Sequence, residues 1–169
     1  MLISAVLMTM VIGVGYKFFI HSQQSFKEGE TKYRVQHEAQ KMIEWLKLDL
    51  LHSCKLNIGD KILIPGKNSY SFYRFTDAFS GDHPVMTNVT YIHNLVTKKV
   101  LRKTSSGEME VGKDIEKLTI FQYFLNRRYY FRIEVVAKVS GEETKLRDME
   151  IELRTSVESR FENNMINQA

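Results

Sequence analysis

The chain has 169 residues, 43% hydrophobic and 26% charged, with a formal net charge of +4. That balance excludes a disordered chain, and the length leaves room for about one domain of ordinary size. Acids and bases alternate finely along it: Lys98, Lys99, Arg102 and Lys103 form the main basic cluster and Arg127 and Arg128 a lesser one, so the density needed to grip nucleic-acid phosphates is missing and no nucleic-acid partner is expected.

The first segment, MLISAVLMTMVIGVGYKFFI, is largely apolar from Leu2 to Tyr16, with Ser4 and Thr9 its aliphatic hydroxyl side chains; Lys17 interrupts it, and Phe18, Phe19 and Ile20 resume. This run of fifteen residues is short of the roughly 20 that cross a bilayer, and a few more upstream would complete a span. A cleavable signal peptide fits less well, because no basic residue precedes the run and no small-residue cleavage site follows it. Gly13 and Gly15 lie inside the apolar stretch, where close helix packing explains them better than a phosphate loop.

The helical period continues past Ile20. Val35, Ala39, Met42, Ile43, Leu46 and Leu50 fall on one face of an amphipathic helix, while Glu38, Lys41, Glu44 and Lys47 occupy another. No proline lies between Met1 and Ile64. The pattern predicts a single helix of about 50 residues, about 80 Å long. A domain built from the rest of the chain is too small to cover all of it, so part of its apolar surface has to be buried in lipid or in related chains.

From Asn57 onward the period drops to two. KILI (61–64) followed by Pro65-Gly66 reads as a short strand and a turn. SYSFYRF places Tyr70, Phe72 and Arg74 on one face and Tyr73 and Phe75 on the other. DAFSGDHP (77–84) reads as a solvated loop. NVTYIHN and KKVLRKT are strands around a turn at Asn94–Thr97, and the aromatics of FQYFLNRRYYF are expected in strands and in the core. Two late segments alternate most cleanly. Tyr129, Phe131, Ile133, Val135, Ala137 and Val139 share one face; Met149, Ile151, Leu153, Thr155 and Val157 share another. They predict an antiparallel hairpin with one wet face, whose dry face packs on the Val35–Leu50 stripe. The fold class is therefore α+β: a long N-terminal helix packed on an antiparallel sheet, with a polar tail.

Nothing in the sequence rises to a catalytic or metal site. The five histidines are scattered, with none in ligand spacing to another histidine or to Cys54, and Asp77 and Asp82 lack the ladder of an EF-hand. No G-x-S-x-G elbow, phosphate-binding loop or dinucleotide fingerprint occurs. Cys54 reads as a small hydrophobe at a helix end, and Glu142 and Glu143 sit in a hairpin loop too exposed for acid–base work. The expectation is a non-enzymatic chain without a cofactor.

This plan, an apolar N-terminal helix running into an amphipathic one that packs on an antiparallel sheet, resembles the type IV pilin-like proteins, including the pseudopilins of type II secretion. MLISAVLMTMVIGVGYKFF is similar to the stretch that follows the glutamate of their G-F-T-x-x-E motif, which puts Met1 a few residues inside the mature chain; the leader and the motif themselves are not in this sequence. AQKMIEWLKLDLLHS (39–53) resembles the leucine-rich L-x-x-D-L element of the J-type minor pseudopilins and the W-type minor pilins. Tyr129–Val139, Asp148–Val157 and LRTSVESR (153–160) resemble their closing strands.

The resemblance implies a structural subunit of a pseudopilus or pilus, processed by a leader peptidase and methylated, then anchored by one pass in the inner membrane with its globular part in the periplasm. Its partners would be membrane lipid and other pilin-like subunits. Leu2, Ile3, Val6, Leu7, Met10, Val11, Val14 and Phe18 would form the anchor and helix bundle. Val35, Ala39, Met42, Ile43, Leu46 and Leu50 would hold the sheet. The boundaries expected are 1–22 for the membrane segment, 23–160 for the globular domain and 161–169 for the tail. The rival reading is a single-pass, membrane-anchored periplasmic binding domain that does not polymerise.

Overall fold

The computed structural model describes residues 2–55, 61–80, 83–126, 128–139 and 149–159, with side chains for all of these except 2–6, 77–80, 83, 84, 139 and 149. The chain divides into two compact units, Met1–Arg34 and Val35–Ala169. The expected polar tail at 161–169 lies outside the described residues.

The helix α1 spans Leu2–Leu51, 50 residues. With no proline to remove a donor, the i to i−4 ladder runs uninterrupted through three glycines, each costing about 1 kcal/mol relative to alanine. It stops where side chains take over the last carbonyls. His52 donates from Nδ1 to the Leu48 carbonyl at 2.9 Å, and Ser53 Oγ donates to the Leu50 carbonyl at 2.6 Å. The chain then enters a strand at once.

Among the described residues nine strands follow, all paired antiparallel. β1 (Ser53–Cys54), β2 (Ile64–Pro65), β3 (Ser69–Ser80), β4 (His83–Asn94), β5 (Lys99–Thr104) and β6 (Gly107–Gly112) form a six-stranded sheet in the order β1-β3-β4-β5-β6, with β2 also on β3. β7 (Ile115–Leu125), β8 (Arg128–Val139) and β9 (Met149–Glu158) form a second sheet in sequence order. The architecture of the described residues is α+β, with one long helix and two antiparallel sheets where the periodicity suggested a single sheet. The final hairpin is paired as Ile133↔Thr155 and Val135↔Leu153, and Phe131, Ile133, Val135 and Ala137 of β8 are all buried.

Two local expectations need correction. Asp77–Pro84 is not a long loop: β3 runs on to Ser80 and β4 starts at His83, with Phe79 opposite Pro84 and Ser80 opposite His83. The register shifts between Phe75 and Phe79. Two surplus residues on β3 are thus absorbed in a bulge, which is how a strand accommodates loop-like composition without ending. In KILI, the paired residues are Ile64 and Pro65, while Ile62 and Leu63 are buried ahead of the strand. Pro65 is tolerated because β2 is an edge strand, where a missing donor costs least. The turn expected at Asn94–Thr97 is an Asx turn, with Asn94 Oδ1 accepting from the amides of Val96 and Thr97 at 3.0 and 3.1 Å.

Within the second unit, the core joins the helix to both sheets. Val35, Ala39, Met42, Ile43, Leu46 and Leu50 form one buried cluster with Phe72, Val89, Val100, Val111 and the inner residues of β7 and β8. Each of these side chains larger than alanine contributes about 1.5–3 kcal/mol by leaving water. The two approach closely at Gly112, where a Cβ would lie 3.2 Å from both Cβ and Sδ of Met42.

Candidate assembly surface and a buried charge cluster

In the first unit, the α1 side chains described from Leu7 on are exposed at Leu7, Met10, Val11, Val14 and Phe18, with Val11 at 72% and Phe18 at 74%. Met8, Ile12, Tyr16, Phe19, Phe26 and Tyr33 are exposed as well. Leu2, Ile3 and Val6 lie in the helix, with their side chains outside the description. A soluble monomer seldom leaves so long an apolar run facing water, so this is the surface that asks for a partner. Among the described residues, no helix is long and apolar enough to cross a membrane; the apolar run begins at Leu2, ahead of the first described side chain.

The second unit contains a feature the sequence reading missed. Asp49 of α1 is fully buried, and three strands aim donors at it. Arg102 of β5 binds it through both ends, Nε to Oδ2 at 2.6 Å and Nη2 to Oδ1 at 3.0 Å. Tyr91 of β4 donates its hydroxyl to Oδ2 at 2.6 Å, and Arg74 of β3 pairs with Oδ1. The Arg102 guanidinium also lies over the Trp45 ring, 5.5 Å from its centroid.

Burial by itself would raise the Asp49 pKa, but the hydrogen bonds from Arg102, Tyr91 and Arg74 outweigh it and hold the carboxyl below its ordinary range. Burial and the facing carboxylate push the Tyr91 hydroxyl far up, so it stays a donor. Accepting from Arg102, Asp49 likewise holds that guanidinium more firmly charged. A carboxylate so saturated has no free lone pair for base catalysis. What it does is orient: shifting the helix by one residue would swing the carboxylate by about 100° and carry it about 1.5 Å along the axis, away from all three donors. A signal was present in the sequence, since Asp49 stands three residues after Leu46 and seven after Met42, inside the apolar stripe.

The aromatics of FQYFLNRRYYF correct another expectation. Phe131 is in the core, but Phe121, Tyr123, Phe124 and Leu125 are exposed. On β7, Ile120 faces the core while Phe121, Tyr123 and Leu125 alternate to the other face. They stand opposite Arg132, Tyr130 and Arg128 of β8. Arg128 pairs with Glu158 at 2.6 Å and Arg132 with Glu134 at 2.5 Å. This aromatic face is therefore electrically balanced rather than cationic, a poor platform for phosphates. Composition could not separate the two faces, because the strand is hydrophobic on both.

Comparison with protein-family models, with curated proteins and with solved structures returns no match. The chain's own geometry carries the argument. Among the described residues, no group of three or more His, Cys, Asp or Glu could hold a metal ion. Cys54 is buried, and burial pushes its thiol up to about 11, so it is no nucleophile in the folded domain.

Proposed function

We propose that the chain is a pilin-like structural subunit, of the minor pseudopilin or minor pilin kind, which assembles through the first part of α1 and displays the two-sheet domain. The observation that carries this reading is the contrast within one helix: from Val35 its stripe is buried under the domain's own sheets, while the described apolar residues before Arg34 are exposed. An apolar helix that its own domain leaves uncovered gains stability from lipid and from neighbouring helices, and glycines such as Gly13 and Gly15 allow close approach. Inner-membrane anchoring and periplasmic placement of the domain belong to the same proposal, as does the absence of enzymatic activity.

The test is disulfide crosslinking in cells with Val6→Cys and Val14→Cys. Specific capture of other pilin-like subunits is the outcome expected. Capture of random membrane neighbours instead would favour the anchored binding domain that does not polymerise, a reading for which the exposed Phe121, Tyr123 and Leu125 provide a binding face. Cys54 does not compete, being buried.

A further inference from the structure

A cavity of about 200 Å³ lies where the six-stranded and three-stranded sheets meet, walled by the β2–β3 turn, the end of β4 and the start of β7. Its wall includes His93, which is 6% exposed and fixed on both sides. The backbone amide of His93 donates to the Asn68 carbonyl at 2.8 Å, and its ring Nε2 lies 2.8 Å from the Ile115 carbonyl oxygen. A carbonyl can only accept, so Nε2 carries a hydrogen, and in the tautomer this selects Nδ1 is left as an acceptor. No described residue donates to it. Among the described residues no fully buried side-chain nitrogen or oxygen lacks a partner, so this Nδ1 is reached from the cavity that His93 lines, where an arriving donor would take the place of water.

The charges on the wall narrow the ligand. Lys67 and Lys117 line the cavity and have no ion pair among the described residues, whereas the acid of the lining, Glu116, is paired with Lys98 at 3.2 Å. A neutral ligand would leave the two ammonium groups unused. An anion without hydrogens would turn lone pairs toward the lone pair of Nδ1. A small oxyanion that carries its own hydroxyl satisfies both sets at once, giving its hydrogen to Nδ1 and its charge to the lysines.

We propose that this cavity binds a hydrogen-bearing phosphate group, with a P–OH donating to His93 Nδ1 and the charged oxygens taken by Lys67 and Lys117. The site stands apart from the assembly surface and does not depend on the pilin-like reading. Because its walls come from both sheets, a bound phosphate would also brace the seam between them.

The experiment uses the full chain in detergent at pH 7, with inorganic phosphate as the probe and sulfate as the control. The two ions are alike in size and geometry, but sulfate carries no hydrogen at that pH. Calorimetry is expected to give phosphate at least about tenfold tighter binding than sulfate, and histidine-selective ¹⁵N NMR a shift at His93 Nδ1 on phosphate addition. The double variant Lys67→Ala/Lys117→Ala should lose binding of both ions, and His93→Phe should erase the preference between them. If His93→Phe fails to fold, the ¹⁵N shift and the lysine variant decide. Equal binding of the two ions, no binding of phosphate at millimolar concentration, or a shift absent from His93 would each overturn the proposal. Soluble dihexanoyl phosphatidic acid separates the sources: tighter binding than phosphate assigns a lipid headgroup, weaker binding a free phosphate, and either keeps the cavity's chemistry.

Discussion

The two ends of α1 have the same backbone and opposite surroundings. Before Arg34 the apolar side chains described are exposed; from Val35 the stripe is buried and one of its members is an ionised aspartate held by three donors. The difference teaches that helicity and burial are separate problems. Propensity and the absence of proline make both ends helical, but only one end has strands of its own chain to pay for its apolar face. The other is left with an unmet demand, which is what the proposed function answers.

The strongest way to break this comparison is to put a charge on each end. Leu46→Asp places an unpaired carboxylate in the core cluster and is expected to abolish cooperative unfolding of the domain, a loss above about 4 kcal/mol. Val11→Asp, on the exposed end, is expected to leave the denaturation midpoint of the domain unchanged. Equal effects from the two substitutions would refute the division. Chemical denaturation followed by circular dichroism decides it.

Next in size is Asp49→Asn, which leaves Arg74 and Arg102 facing a neutral amide in a buried site. The expected cost is about 3–5 kcal/mol. The sign with pH follows from the depressed Asp49 pKa. Its stabilisation is fully present above the ordinary value of 3.8 and is lost as pH falls through the lower folded value. The gap between wild type and Asp49→Asn should therefore stay constant from about pH 7 to about pH 4 and close in stronger acid. A gap that instead closed between neutrality and pH 5 would mean that another group controls the cluster.

A smaller effect is expected at the tight helix–sheet approach of Gly112. Gly112→Val brings methyl groups against Met42 and should cost about 1–3 kcal/mol, partly recovered by Met42→Ala in the same chain. Failure of the second substitution to help would mean that the strain lies elsewhere, for instance against Ile115, which stands 3.3 Å from the same added Cβ. The smallest effect is Phe121→Ser, on the outward face of β7, with a change within about 0.5 kcal/mol. A loss as large as that of a core aromatic would mean that this ring is buried in solution.

Much of this was legible in the sequence, and the reasons differ by element. The stripe from Val35 to Leu50 and the alternation of Phe131, Ile133, Val135 and Ala137 could be read because each helix or strand has one dry face, so period and burial coincide. The exposure of Phe121 and Tyr123 could not, because β7 is apolar on both faces and its local pattern does not say which side meets the helix. The continuation of β3 and β4 through Asp77–Pro84 was hidden for another reason: bulge residues and turn residues have the same composition.

Local periodicity and the spacing of breakers, then, were enough to settle a long helix, its inward stripe, a closing hairpin and an α+β class, since each follows from neighbours a few positions apart. The convergence of Arg74, Tyr91 and Arg102 on Asp49, the split into two sheets and the His93 cavity at their seam were decided in three dimensions alone. They join residues 22 to 53 positions apart, and nothing in a one-dimensional pattern records which distant donor will meet which acceptor once the backbone has closed.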